Sequence, residues 1–368
     1  MSDRTKQYLK GFWWLLLIPI TYLLTLLAIA NPAFVEGVYS NAIFKVVSAV
    51  LPFQYFPQIS FFEIILILGP IAIVVCLIAF IVRLVKNPKD RRMRMLKVIR
   101  NTLIVCAVLY FLFYLLWGFN YYRQPYSEIG NLAVEKSSTE ELEQLCISLI
   151  EKTNESRAQL ASASDKTLSM PLTNTELRNI TMDAYDKAKE DAIPGIGENL
   201  ASPKALNISP LMSYTGITGI YIPFTAESNY NNDIPMPLKG STICHELAHR
   251  QGFAREDEAN FISYLVCSNA DNDYLKYSGN LLATIHSMNK IYESDRDKYD
   301  ELYQLYSDEV KADLAKNREY WDAHEGEVEE ISTRINDSYL KGNNLPDGVK
   351  SYGRMVDLLL ALQREGNL

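Results

Sequence analysis

The histidines at 245 and 249 give the first chemical signal in this chain. His245-Glu246-Leu247-Ala248-His249 has the form HExxH, and the whole sequence holds only four histidines. On a helix, residues four apart share a face, so both imidazoles can reach one ion. Glu246 stands near that face. There it can take a proton from a water held by a divalent metal, and zinc lowers the pKa of such a water to about 7. The expected cofactor is therefore Zn2+, with His245 and His249 as ligands and Glu246 as the catalytic base.

A zinc centre that acts on a substrate keeps three protein ligands and one open position. His286 and His324 lie far along the chain. Gly252 and Arg255 follow His249 at the spacing of the extended HExxHxxGxxH pattern. Arginine cannot ligate a cation, so the third ligand must come from elsewhere. Three acids stand close by: Glu256, Asp257 and Glu258. A glutamate that opens the next helix, with a small residue after it, resembles the arrangement of the gluzincin metallopeptidases. On that likeness Glu258, in Glu258-Ala259-Asn260, is the favoured ligand and Glu256 the alternative. The same acids also suit a helix N-terminus, where negative charge meets the positive end of the dipole.

Negative charge developing on an attacked carbonyl calls for a donor. Tyr352 and Arg354 sit between a Gly/Asn/Pro loop and an apolar helix and are assigned that catalytic role; Tyr339 and His324 are further candidates. A β-branched and aromatic run at 216–224 reads as a strand, and Pro223 makes it an edge strand. Zinc peptidases commonly lay an extended substrate along an edge strand beside the metal helix. Glu227, Asn229 and Asn231 follow it, either touching substrate, supporting the site or bonding their own turn.

The elements that must position these residues fall into two regions, 1–120 and 121–368. Three uncharged or nearly uncharged stretches, about 11–30, 62–83 and 101–119, are long enough to cross a bilayer. Gly69-Pro70 should kink the second. The piece at 33–57 is too interrupted to span and reads as a surface-lying helix or a packed loop. Arg4, Lys6 and Lys10 precede the first span, and Arg83, Lys86, Lys89, Arg91, Arg92, Arg94, Lys97 and Arg100 separate the second from the third. The positive-inside rule puts both groups in the cytoplasm and everything after about 120 outside. Trp117, Tyr121 and Tyr122 lie where the third span would leave the bilayer.

Beyond residue 120 the pattern is helical and amphipathic. Ser138 and Glu141 form a capping box, and helices are expected at 175–190, 238–251, 256–268, 273–292, 297–319 and 351–364. Five cysteines, three of them after residue 120, do not make a disulfide framework and read as buried thiols. A net charge of -8 excludes a nucleic-acid partner.

Three spans, Trp117-Gly118-Phe119-Asn120-Tyr121-Tyr122-Arg123, Phe224-Thr225-Ala226-Glu227-Ser228-Asn229, the HExxH run through Phe261, and Asp347-Gly348-Val349-Lys350-Ser351-Tyr352-Gly353-Arg354 occur in that order. Together they resemble a bacterial family of three-pass membrane proteins of unknown function with an HExxH centre. The resemblance covers nearly the whole chain. It implies a bacterial cell-membrane protein with a gluzincin-like, zincin-type core. The combined expectation is a mainly α chain with a small β-sheet or edge strand. It acts as a membrane-anchored zinc metallopeptidase on an extracytoplasmic peptide or envelope protein. The alternative is a membrane sensor or scaffold that binds zinc or a peptide without turnover.

Overall fold

The computed structural model describes residues 11–88, 91–160, 168, 172–198 and 201–368, apart from the side chains of Gln54 and Tyr352. Arg4, Lys6, Lys10 and Lys89 of the basic clusters lie outside the described residues. The chain is mainly helical with few strands. It divides into two compact units.

The first unit takes the chain up to Val50, then Phe61–Arg123, with Pro223–Thr225. Four of its helices are long and apolar enough to cross a membrane: α1 (Phe12–Ala30), α2 (Pro32–Val50), α3 (Phe61–Lys86) and α4 (Arg91–Leu116). α3 buries only Glu63 and turns a coat of Ile, Leu and Val outward. Such a surface suits hydrocarbon rather than water. α3 also runs through Pro70 without a break. α4 begins inside the basic run, because Arg, Lys, Met and Leu are good helix formers.

Of the piece at 33–57, read from sequence as a surface-lying helix or a packed loop, the part up to Val50 belongs to one continuous helix, Pro32–Val50, with a π-helical stretch at Val35–Ile43. Its polar residues are matched one by one. Arg123 forks onto both oxygens of Glu36, each at 2.7 Å. The Tyr39 hydroxyl donates to the carbonyls of Tyr114 and Leu115, and Ser40 donates to the Asn120 side chain. Trp117 and Tyr121, expected at the bilayer surface, are buried here, with Trp117 against Phe44.

The second unit comprises Leu51–Ser60, Gln124–Ile222 and Ala226–Leu368. It thus takes in ten residues of the loop between α2 and α3 that lie outside the span 121–368. Its longer helices are α5 (Thr139–Gln159), α6 (Asn174–Glu190), α7 (Met236–Arg250), α8 (Glu256–Ser268), α9 (Asp273–Ser294), α10 (Arg296–Tyr303), α11 (Asp308–Asp322), α12 (Glu327–Gly342) and α13 (Met355–Arg364). α5 and α6 start with capping boxes on Ser138 and Thr173. The helix expected at 297–319 is two helices, since Ser307 caps a fresh start by accepting from the Val310 amide. α9 runs through the core against α5, α7, α8 and α13. Cys146, Cys244 and Cys267 are buried free thiols.

A three-stranded sheet, β1 (Lys204–Leu206), β2 (Gly219–Ile222) and β3 (Glu227–Asn231), has the order β1-β3-β2. β2 is an edge, antiparallel to β3, with Gly219 opposite Tyr230. β3 is the centre, and its residues Glu227, Asn229 and Asn231 are fully enclosed. These three therefore hold the sheet together. Glu227 pairs with Lys204, Asn229 bonds Ser60 and the Ile220 carbonyl, and Asn231 bonds Ser213 and the Ile217 carbonyl.

Candidate metal centre

α7 carries the HExxH run. Ile243, Cys244, Leu247 and Ala248 are fully buried and fix the helix in the core, which leaves His245 and His249 together on another side. The two rings stand edge to face, 4.6 Å between centroids. Gly252 ends the helix at φ 90, a conformation that suits glycine. The Gly252 amide donates to the His249 carbonyl and the Phe253 amide to that of Ala248, a Schellman closure. The chain reverses at once, and α8 opens at Glu256.

That short reversal decides which carboxylate meets the two imidazoles. Glu256 Oε2 lies 3.2 Å from His245 Nε2 and 3.6 Å from His249 Nε2. One ligand atom from each of the three residues lies within 4.8 Å of the other two. Glu258, the favoured residue on sequence, points elsewhere: its Oε1 accepts from the Tyr126 amide and from Arg255, each at 2.8 Å. The correction follows from helix geometry, because residues two apart on α8 face different sides. Glu256 and Asn260, four apart, share a face, and both meet the imidazoles. The His245–His249 spacing recurs here, a signal that sequence reading could have used.

The imidazole nitrogens remote from the cluster are tied off. His249 Nδ1 donates to the Phe253 carbonyl at 2.7 Å, and His245 Nδ1 faces Asn260 Oδ1 at 2.7 Å. Both contacts place a ring proton on Nδ1 and turn the Nε2 atoms toward Glu256.

Glu246 is 4% exposed, and its Oε2 has no hydrogen-bond partner. Burial raises its pKa to about 7 against the pull of His245 and His249, with Glu256 adding to the rise. Ser228 Oγ donates to the Glu246 carbonyl at 2.8 Å and ties α7 to β3. A Cβ at Gly219 would stand 2.5 Å from Glu246 Oε1, so any other residue at the start of β2 would displace this carboxylate. For His249, burial alone would lower the pKa, but Glu256 and then Glu246 carry it up to about 9. Burial works to raise the Glu256 pKa, and the two imidazoles pull it well below the ordinary carboxylate range.

Arg354 and His324 take partners elsewhere. Arg354 reaches Asp257 at 3.4 Å and Asp347 at 3.0 Å, bracing the 3-10 turn Gly348–Arg354 on α8. The Tyr352 side chain lies outside the described residues. His324 lies against the rings of Tyr214 and Tyr320, tilted to both, and Tyr339 is exposed. Two imidazoles and a carboxylate, with the outer nitrogens anchored, are a donor set that fits zinc.

A helical chain with apolar helices of membrane-crossing length, joined to a domain with a histidine–carboxylate cluster on adjoining helices, is the class defined here. The chain belongs to the family described as Protein of unknown function (DUF3810), whose model matches residues 39–360. No curated protein and no solved structure matches it.

Proposed function

We propose that the protein is a membrane-anchored, zinc-dependent peptidase whose catalytic domain lies outside the cytoplasm. The convergence of His245 Nε2, His249 Nε2 and Glu256 Oε2 beside the buried carboxylate of Glu246 carries the reading. Bound by these three ligands, zinc would polarise a carbonyl and acidify a coordinated water. Glu246, with a pKa near neutrality, takes up and returns the proton. β2, an edge strand that starts against Glu246, offers its open side to an extended peptide. The substrate is a peptide or a neighbouring envelope protein.

The sidedness rests on the basic run at 83–100, the strongest cytoplasmic signal in the chain. One crossing on either side of it brings 51–60 and 124–368 to the same outer side, in keeping with their membership of one compact unit. With the basic N-terminus inside, α1 crosses and α2 begins and ends outside, which gives three spans rather than four.

The test uses the full chain in detergent, because a fragment starting at 121 would lack Leu51–Ser60. Wild type is expected to hold one zinc and His245→Ala none. Wild type is expected to cleave members of a peptide library, with Glu246→Gln retaining zinc and losing cleavage by a factor on the order of 10²–10⁴. Zinc in both without cleavage in either would leave a binding protein, and no zinc in wild type would end the reading.

A further inference from the structure

We infer that His286 is a positioning residue, which sets the orientation of the Asn260 amide and through it the tautomer of His245. The inference rests on the zinc reading above. Three helices contribute: His245 on α7, Asn260 on α8 and His286 on α9. His245 Nδ1 faces Asn260 Oδ1 at 2.7 Å, and Asn260 Nδ2 faces His286 Nε2 at 3.4 Å.

An asparagine side chain has two unlike ends. With Oδ1 toward His245, the imidazole carries its proton on Nδ1 and Nε2 keeps the lone pair a cation needs. With the amide reversed, Nδ2 would donate to Nδ1, and the proton would move to Nε2, where it blocks the cation. An aspartate at this place would accept from His245 with either oxygen, whereas an asparagine must be oriented by a third group. His286 supplies that group when its Nε2 accepts from Nδ2. Its ring is neutral at pH 7, since burial, followed by the nearness of His245, lowers its pKa to about 4. A neutral ring has one nitrogen able to accept. The three groups therefore switch together, and the cation-binding state is the one in which His286 accepts.

The test is zinc affinity of the full-length protein, by competition with a chromophoric chelator, with the unfolding midpoint of the metal-free protein recorded beside it. His286→Leu removes the acceptor and is expected to weaken zinc by about tenfold, the low end for groups behind a ligand. His286→Gln keeps an acceptor and is expected to stay within about twofold of wild type. In an Asn260→Asp background the amide no longer needs orienting, so His286→Leu should change affinity by less than about twofold. An equal loss in both backgrounds, no loss in either, or a tenfold loss in His286→Gln overturns the inference and leaves the zinc reading standing. A wild type that binds no zinc overturns both.

Discussion

Lys204 with Glu227, and His245 and His249 with Glu256, are two sets of buried charge in one domain, and they are finished differently. The Lys204 ammonium donates to Glu227 and to the carbonyls of Phe53 and Ile59. Asp313 is similar, its two oxygens accepting from Arg157, Tyr277 and the Leu168 amide. In these places charge meets its complement within the chain, as buried polar groups must. In the histidine cluster the outer nitrogens are tied down and the inner ones converge with a carboxylate, beside a Glu246 oxygen that accepts nothing. Burial of charge is thus common to both, and only the second leaves donor atoms aimed at one point.

Glu256→Gln breaks the comparison most directly. It is expected to weaken zinc binding by more than about 100-fold, beyond the range of a change behind a ligand. Glu258→Gln is expected to stay within about tenfold, because Glu258 only joins Arg255 and the Tyr126 amide. Chelator competition on the purified chain reads both, and the opposite order would return the third position to Glu258.

Lys204→Met works on the other side. It leaves Glu227 buried without its cation and is expected to cost about 3–5 kcal/mol of stability. Lys204→Met with Glu227→Leu should recover most of that, since a buried pair replaced by apolar residues is often neutral. Denaturant unfolding measures both. A loss below about 1 kcal/mol would mean that the pair does not brace the sheet.

What could be read in advance follows the range of the physics. The apolar stretches, the capping box on Ser138, and the HExxH helix are local signals, and each lies on a helix in the structure. β3 escaped because Glu-Ser-Asn-Tyr-Asn lacks the residues that strands favour. Its side chains are satisfied by Lys204, Ser60 and Ser213, distant in sequence and invisible until the chain is folded. Likeness to the gluzincin arrangement, a helix-opening glutamate with a small residue after it, favoured Glu258, while the four-residue face shared by Glu256 and Asn260 was present in the sequence all along. Ser307 cut an expected helix in two with a single side-chain hydrogen bond, a local event among residues that otherwise all favour helix.

The smallest effect sets the two regions apart by pH. In the metal-free protein His249 has its pKa raised from 6.5 to about 9, chiefly by Glu256 working against burial. The sign then follows: this contact stabilises the metal-free fold fully below about 6.5, and the contribution fades as pH climbs through about 9. Zinc runs the opposite way. It must displace the proton between His249 and Glu256, so its apparent affinity should rise by about tenfold per pH unit up to about 9 and level off above that. Metal titrations and unfolding midpoints across that range check both slopes. A zinc affinity that is flat with pH would mean that His249 meets the ion already neutral, and that the ion pair with Glu256 does not form in solution.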